Sequence, residues 1–127
     1  MKINFIFRNY IPAVLWSVII FIVCLLPGNT FPAEDFLDTI YFDKIVHFTM
    51  YLILFMLIMN GIKKERPIRK KLLFAAAFIC ILQGVLIEFL QGSDLVSNRS
   101  FELFDIIANI TGVLTGFLLA LRKHKTI

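Results

Sequence analysis

Nine residues of the 127-residue chain combine side-chain type and spacing suited to chemistry: Asp43, Lys44, His47, Tyr51, Glu88, Gln91, Arg99, Asp105 and Asn109. Asp43, His47 and Tyr51 recur at i, i+4 and i+8, Glu88 and Gln91 at i, i+3, and Asp105, Asn109 and Gly112 at i, i+4, i+7. On helices each of these groups shares one face. Imidazole titrates near physiological pH and can act as acid, base or metal ligand. Carboxylates orient cations or amines, while Lys and Arg meet phosphate, Arg through a planar two-pronged fork.

The elements that hold these residues must lie in a membrane. Hydrophobic residues make up 59% of the chain, charged residues only 17%, and the mean hydropathy is +0.84, against about 45–50% apolar and about 25% charged in a soluble domain. Apolar stretches cover residues 10–27, 45–61, 72–92 and 104–121. A hydrocarbon core about 30 Å thick takes about 20 helical residues to cross, so four spans use most of the chain and leave no room for a soluble catalytic domain. Lipid-exposed spans must be helices, because no water is present to satisfy backbone groups. The expected fold is therefore an all-α polytopic four-helix bundle forming a single domain over residues 1–127. The first run is read as a retained span, since it ends at Pro27-Gly28 with no small-residue cleavage site behind it. Cys24 and Cys80 lie inside apolar runs and read as small hydrophobes, with no disulfide expected.

Charge fixes an expected orientation. Eleven of the thirteen Lys and Arg residues fall in the N-terminal tail, the 62–71 loop and the C-terminal tail, leaving only Lys44 and Arg99 on the other side. The positive-inside rule then places both termini and the basic loop in the cytoplasm of a bacterial inner membrane. The same loop also suits attraction to anionic headgroups, so the net charge of +4 gives no reason to expect nucleic acid. All the acidic residues except Glu65 fall on the outer side. Among them Glu34, Asp35, Asp38, Asp94 and Glu102 read as solvated loop residues.

At 1.5 Å per residue, Glu88 lies about 6 Å below the outer boundary, and Asn109 about 6 Å below Asp105. Glu88, His47 and Asn109 thus share one thin slab on three helices. A charge facing lipid costs a few kcal/mol, so these stripes are expected to face each other or a water-filled pocket, with His47 or Arg99 as the partner of Glu88. The plain alternative is a polar clamp that sets helix register, which fits Gln91 and Asn109 equally well. On the fourth helix, Ala108, Gly112, Gly116 and Ala120 recur every four residues. Such a stripe permits close helix packing, expected inside the chain, with a homodimer as the alternative. Asn98-Arg99-Ser100 matches a glycosylation sequon that polar loops often produce by chance.

Together these residues resemble the VanZ-like membrane proteins: Asp43-Lys44-x-x-His47-x-x-x-Tyr51, Glu88-x-x-Gln91, Arg99, and Asp105-x-x-x-Asn109-x-x-Gly112-x-x-x-Gly116. The resemblance spans essentially the whole chain. It departs at the residues before Arg99, where Ser97-Asn98 stand in place of the family's frequent proline. The resemblance implies a four-helix membrane domain and an association with low-level resistance to the lipoglycopeptide teicoplanin. It implies no catalytic role.

Three functions follow as expectations. The first is an envelope protein whose outer polar pocket binds membrane lipid headgroups, a lipid-linked wall precursor or a lipoglycopeptide, with Arg99 and Lys44 on phosphate and the carboxylates on amines. It needs no cofactor and no metal. The second is a membrane enzyme acting on an envelope lipid, with His47 and Glu88 as an acid–base pair or Asp43, His47 and Asp105 around a divalent cation. The third, a small drug exporter, fits poorly with so strong a charge bias and so shallow an acid.

Overall fold

A computed structural model describes residues 2–29 and 36–123, with side chains over 7–29 and 41–123. Four helices follow in order: α1 Lys2–Leu25, α2 Phe36–Glu65, α3 Lys70–Gln91 and α4 Leu103–Lys123. Each contains a stretch long and apolar enough to cross a membrane: Phe7–Leu25, Tyr41–Glu65, Lys70–Gln91 and Leu103–Lys123. No strand occurs among the described residues. The expected all-α membrane architecture is the observed one.

The helices outrun the apolar stretches, most of all α2, which extends nine residues ahead of residue 45 and four beyond residue 61. Hydropathy marks where a helix meets lipid, whereas hydrogen bonding continues into water through polar residues until something stops it. At the C-terminal end of α2 the stop is Pro67, which lacks an N–H and disfavours helix at the residue before it. The Arg66 N–H still reaches the Ile62 carbonyl at 3.0 Å, and the chain then turns through an extended Arg69 (φ −108°, ψ 151°).

The bundle has two unlike ends. The proximal end carries the start of α1, the end of α4 and the basic turn between α2 and α3. At the distal end α1 and α3 finish while α2 and α4 begin. Helix α2 touches the other three helices and packs most extensively on α4, while among the described residues α1 and α4 lie on opposite flanks without contact. The core between them is built from Ile20, Tyr51, Leu54, Phe55, Leu73, Cys80, Ile87 and Val113, all at most 2% exposed. Large apolar side chains such as Val14, Phe78, Leu82 and Leu118 face outward, as lipid contact demands. The outward threonines 49, 111 and 115 each donate to the carbonyl four residues back, so these three hydroxyls are not left bare toward lipid.

The small residues of α4 account for its proximity to α2. A Cβ on Gly112 would lie 2.3 Å from the Phe48 carbonyl oxygen, and one on Gly116 would lie 2.7 Å from the Phe55 ring. Ala120 is buried on the same side and Ala108 half-buried. The stripe is thus used within the chain. On the other flank, the Trp16 indole donates to the Met50 carbonyl at 2.9 Å, and Ser17 Oγ donates to Gln83 Oε1 at 2.7 Å, tying α1 to α2 and α3.

Candidate functional site at the distal end

Among the described residues, five polar or charged ones are buried as whole residues: His47, Glu88, Gln91, Asp105 and Asn109, each at most 3% exposed. All five belong to the distal half of the bundle. Helix geometry gathers them. The i, i+4 stripe of α2 puts Asp43 and His47 toward α4, and the matching stripe of α4 returns Asp105 and Asn109 toward α2. The close approach at Gly112 holds the two stripes within side-chain reach.

His47 is the centre of the arrangement. Its Nδ1 lies 3.0 Å from Asn109 Oδ1. An amide oxygen can only accept, so Nδ1 carries the proton and donates. Nε2 points the other way, 3.6 Å from Asp105 Oδ2 and 3.8 Å from Asp43 Oδ1. Lys44 Nζ donates to Asp105 Oδ1 and, at 2.6 Å, to Glu102 Oε2. It also stands 3.9 Å from Asp43 Oδ2.

Glu88 meets neither His47 nor Arg99, the partners expected from sequence. Its Oε2 accepts the backbone N–H of Glu102 at 3.2 Å, because the 92–102 loop folds back over the end of α3 and presents a free amide there. Its Oε1 is buried without a partner, as is the hydroxyl of Tyr51 one turn below His47. Arg99 Nε donates to the Leu26 carbonyl at 3.2 Å, tying the loop to the end of α1. Gln91 Nε2 bonds the Cys24 carbonyl at 2.7 Å, a register clamp between α3 and α1. Lys44, His47, Asp43, Asp105 and Asn109 are therefore brought together, Glu88 and Tyr51 stand beside them with free polar atoms, and Arg99 and Gln91 serve the α1 junction.

Glu102 is exposed and lies just ahead of α4, as expected of a solvated loop residue, and it also reaches the cluster. Its side chain is about half exposed (46%) and its carboxylate binds Lys44. The available signal was its place three residues before Asp105, at the start of α4, where it shares a side with that residue. The accessible rim of the cluster is Asp43, Lys44 and Glu102. A groove of about 500 Å³ opens at the proximal end, lined by Lys63, Lys64, Glu65, Arg66 and Lys123 among others.

A family model described as VanZ/LLP1 matches residues 2–124. The chain belongs to the VanZ/LLP1 family. No curated protein and no solved structure matches it. VanZ/LLP1 membership together with four membrane-length helices makes this a multi-pass membrane protein of VanZ type. The missing proline before Arg99 has a structural counterpart. Asn98 occupies the left-handed region at φ 54°, which proline, fixed near −65°, cannot adopt and which asparagine tolerates. Beside it, the Gly28 N–H bonds the Ser97 carbonyl at 3.0 Å, and a Cβ on Gly28 would fall 1.6 Å from the Asn98 carbonyl oxygen. Loop and α1 end meet backbone to backbone.

Proposed function

We propose that this VanZ-type protein sits in the bacterial inner membrane with both termini in the cytoplasm, and that its distal end engages the headgroup of an envelope lipid, a lipid-linked wall precursor or a lipoglycopeptide at the outer leaflet. The orientation rests on eleven of thirteen basic residues clustering at the proximal segments and the preference of such residues for the cytoplasmic side. The binding role rests on one observation above all: the buried polar residues are concentrated at one membrane boundary, on three different helices, with the Glu88 Oε1 and Tyr51 hydroxyl left unpartnered. Buried polar groups in hydrocarbon are costly unless they are used. The rim offers Lys44 for phosphate and Asp43 and Glu102 for amines.

The test is lipid retention. Protein extracted in mild detergent is expected to carry a defined set of headgroup-bearing lipids by native mass spectrometry, and the paired substitution Asp43→Ala with Lys44→Ala is expected to lose them while still inserting and folding. An identical lipid set on wild type and variant would refute the reading. Teicoplanin susceptibility of cells expressing the same pair gives the matching cellular measurement.

A further inference from the structure

We infer that Asp43, His47 and Asp105 form a binding site for a single divalent first-row cation, which supplies the positive charge for a headgroup phosphate. The role of the ion rests on the headgroup reading above. The site itself rests on geometry.

Three observations carry it. The first is the state of His47, whose side chain is only 3% exposed. With Nδ1 donating to Asn109, Nε2 is the ring nitrogen that faces the two carboxylates. A buried imidazole oriented by a second hydrogen bond is the usual support for a metal-binding nitrogen.

The second is spacing. Nε2 stands 3.6 Å and 3.8 Å from the two carboxylate oxygens. A charged imidazole bonding a carboxylate would close to about 2.7–2.9 Å. Ligand atoms arranged tetrahedrally around a cation at about 2.0–2.2 Å stand roughly 3.3–3.6 Å from one another. The three donor atoms lie within 4.8 Å of each other, so small side-chain adjustments suffice to close them on one ion.

The third is charge. The carboxylates of Asp43, Glu102 and Asp105 gather round Lys44, while Glu88 holds the Glu102 amide and Arg99 binds a backbone carbonyl with its Nε. Asp105 already divides its oxygens, Oδ1 to Lys44 and Oδ2 toward His47. A doubly charged ion beside Oδ2 balances the excess negative charge without displacing the lysine. One nitrogen and two oxygens suit zinc or manganese, whereas calcium asks for six to eight oxygens. Asp43, a third exposed, places the remaining coordination position at the rim, where a phosphate oxygen or water completes it.

The experiment is calorimetric titration of ZnCl₂, and separately MnCl₂, into EDTA-stripped protein in phosphatidylcholine nanodiscs. One ion per chain is expected for at least one metal, weakened about 10–100-fold or abolished by His47→Ala and Asp105→Asn. Asn109→Ala, which removes the acceptor that orients the imidazole, is expected to weaken binding about 10-fold. Asp43→Asn guards against misfolding: its side chain is partly exposed, so affinity falls while the unfolding midpoint stays unchanged. His124→Ala, at the second histidine of the chain, leaves binding intact. Absence of saturable binding of both metals, or binding indifferent to the three ligand substitutions, overturns the site. Lipid retention measured on the stripped protein separates the two readings. Lys44-dependent retention without ion binding refutes the cation alone, and ion binding without selective retention upholds the cation and refutes the headgroup.

Discussion

Replacing Gly112 by alanine tests whether helix spacing sets the distal chemistry. The added Cβ would sit 2.3 Å from the Phe48 carbonyl oxygen, where an ordinary carbon–oxygen contact is about 3.3 Å. Both clashing groups are backbone-anchored, so α4 must retreat from α2 by about 1 Å. Asn109 rides on the same face less than one turn away, and its 3.0 Å bond to His47 stretches to about 4 Å, beyond hydrogen bonding. The overpacking costs about 1–3 kcal/mol, and the lost bond about 1 kcal/mol. Alanine's better helix propensity returns about 1 kcal/mol. The net expectation is destabilisation by about 1–3 kcal/mol. Reversible unfolding in mixed micelles measures it, followed by the fluorescence of Trp16, the single tryptophan, whose indole is bonded to Met50 across α1 and α2. Leu118→Ala, on the lipid-facing side of α4, is the control and moves the midpoint little. A Gly112→Ala protein as stable as wild type, or more so, would refute the argument, since it would mean that α4 does not press on the Phe48 carbonyl.

Other consequences are open to measurement. Asn109→Ala leaves the buried Nδ1–H of His47 without an acceptor and lowers stability by about 1–3 kcal/mol in the same assay. Glu88→Gln keeps an oxygen for the Glu102 amide and stays within about 1 kcal/mol of wild type, whereas Glu88→Leu strands that amide and raises its hydrogen exchange at least 10-fold. Gln91→Leu removes the clamp on the Cys24 carbonyl at a cost of about 0.6 kcal/mol, the average for such bonds between membrane helices. For orientation, a membrane-impermeant maleimide should label Asp94→Cys on intact spheroplasts and Lys64→Cys only after permeabilisation. Cys24 and Cys80, at 4% and 0% exposure, should stay unlabelled throughout.

What could be read from sequence followed from periodicity. Four apolar runs gave the helices, and the spacing of Asp43 with His47 and of Asp105 with Asn109 put these pairs on shared faces that the structure brings together. The partners of Glu88, Arg99 and Gln91 were not readable in the same way. Each of these three side chains bonds a main-chain group, at Glu102, Leu26 and Cys24 respectively, and every residue offers such groups, so no residue type announces them. Glu102 is the exposed loop residue that its neighbours announce, and only its contact with Lys44 lies beyond what sequence shows. The helix ends escaped hydropathy for a related reason, since lipid thickness and backbone hydrogen bonding end at different places.

The segment from Gly92 to Glu102 is fastened at both sides through the main chain: Gly28 N–H to the Ser97 carbonyl, Arg99 to the Leu26 carbonyl, and the Glu102 N–H to Glu88. Arg99 and Glu88 lend side chains to this fastening, and the Glu102 carboxylate adds its bond to Lys44. Asp94 and Leu95 are exposed and outside it. The cover of the distal cluster therefore keeps its path whatever those side chains become. Such a surface can diversify its outward chemistry, one position at a time, without loosening the frame that holds it over the membrane boundary.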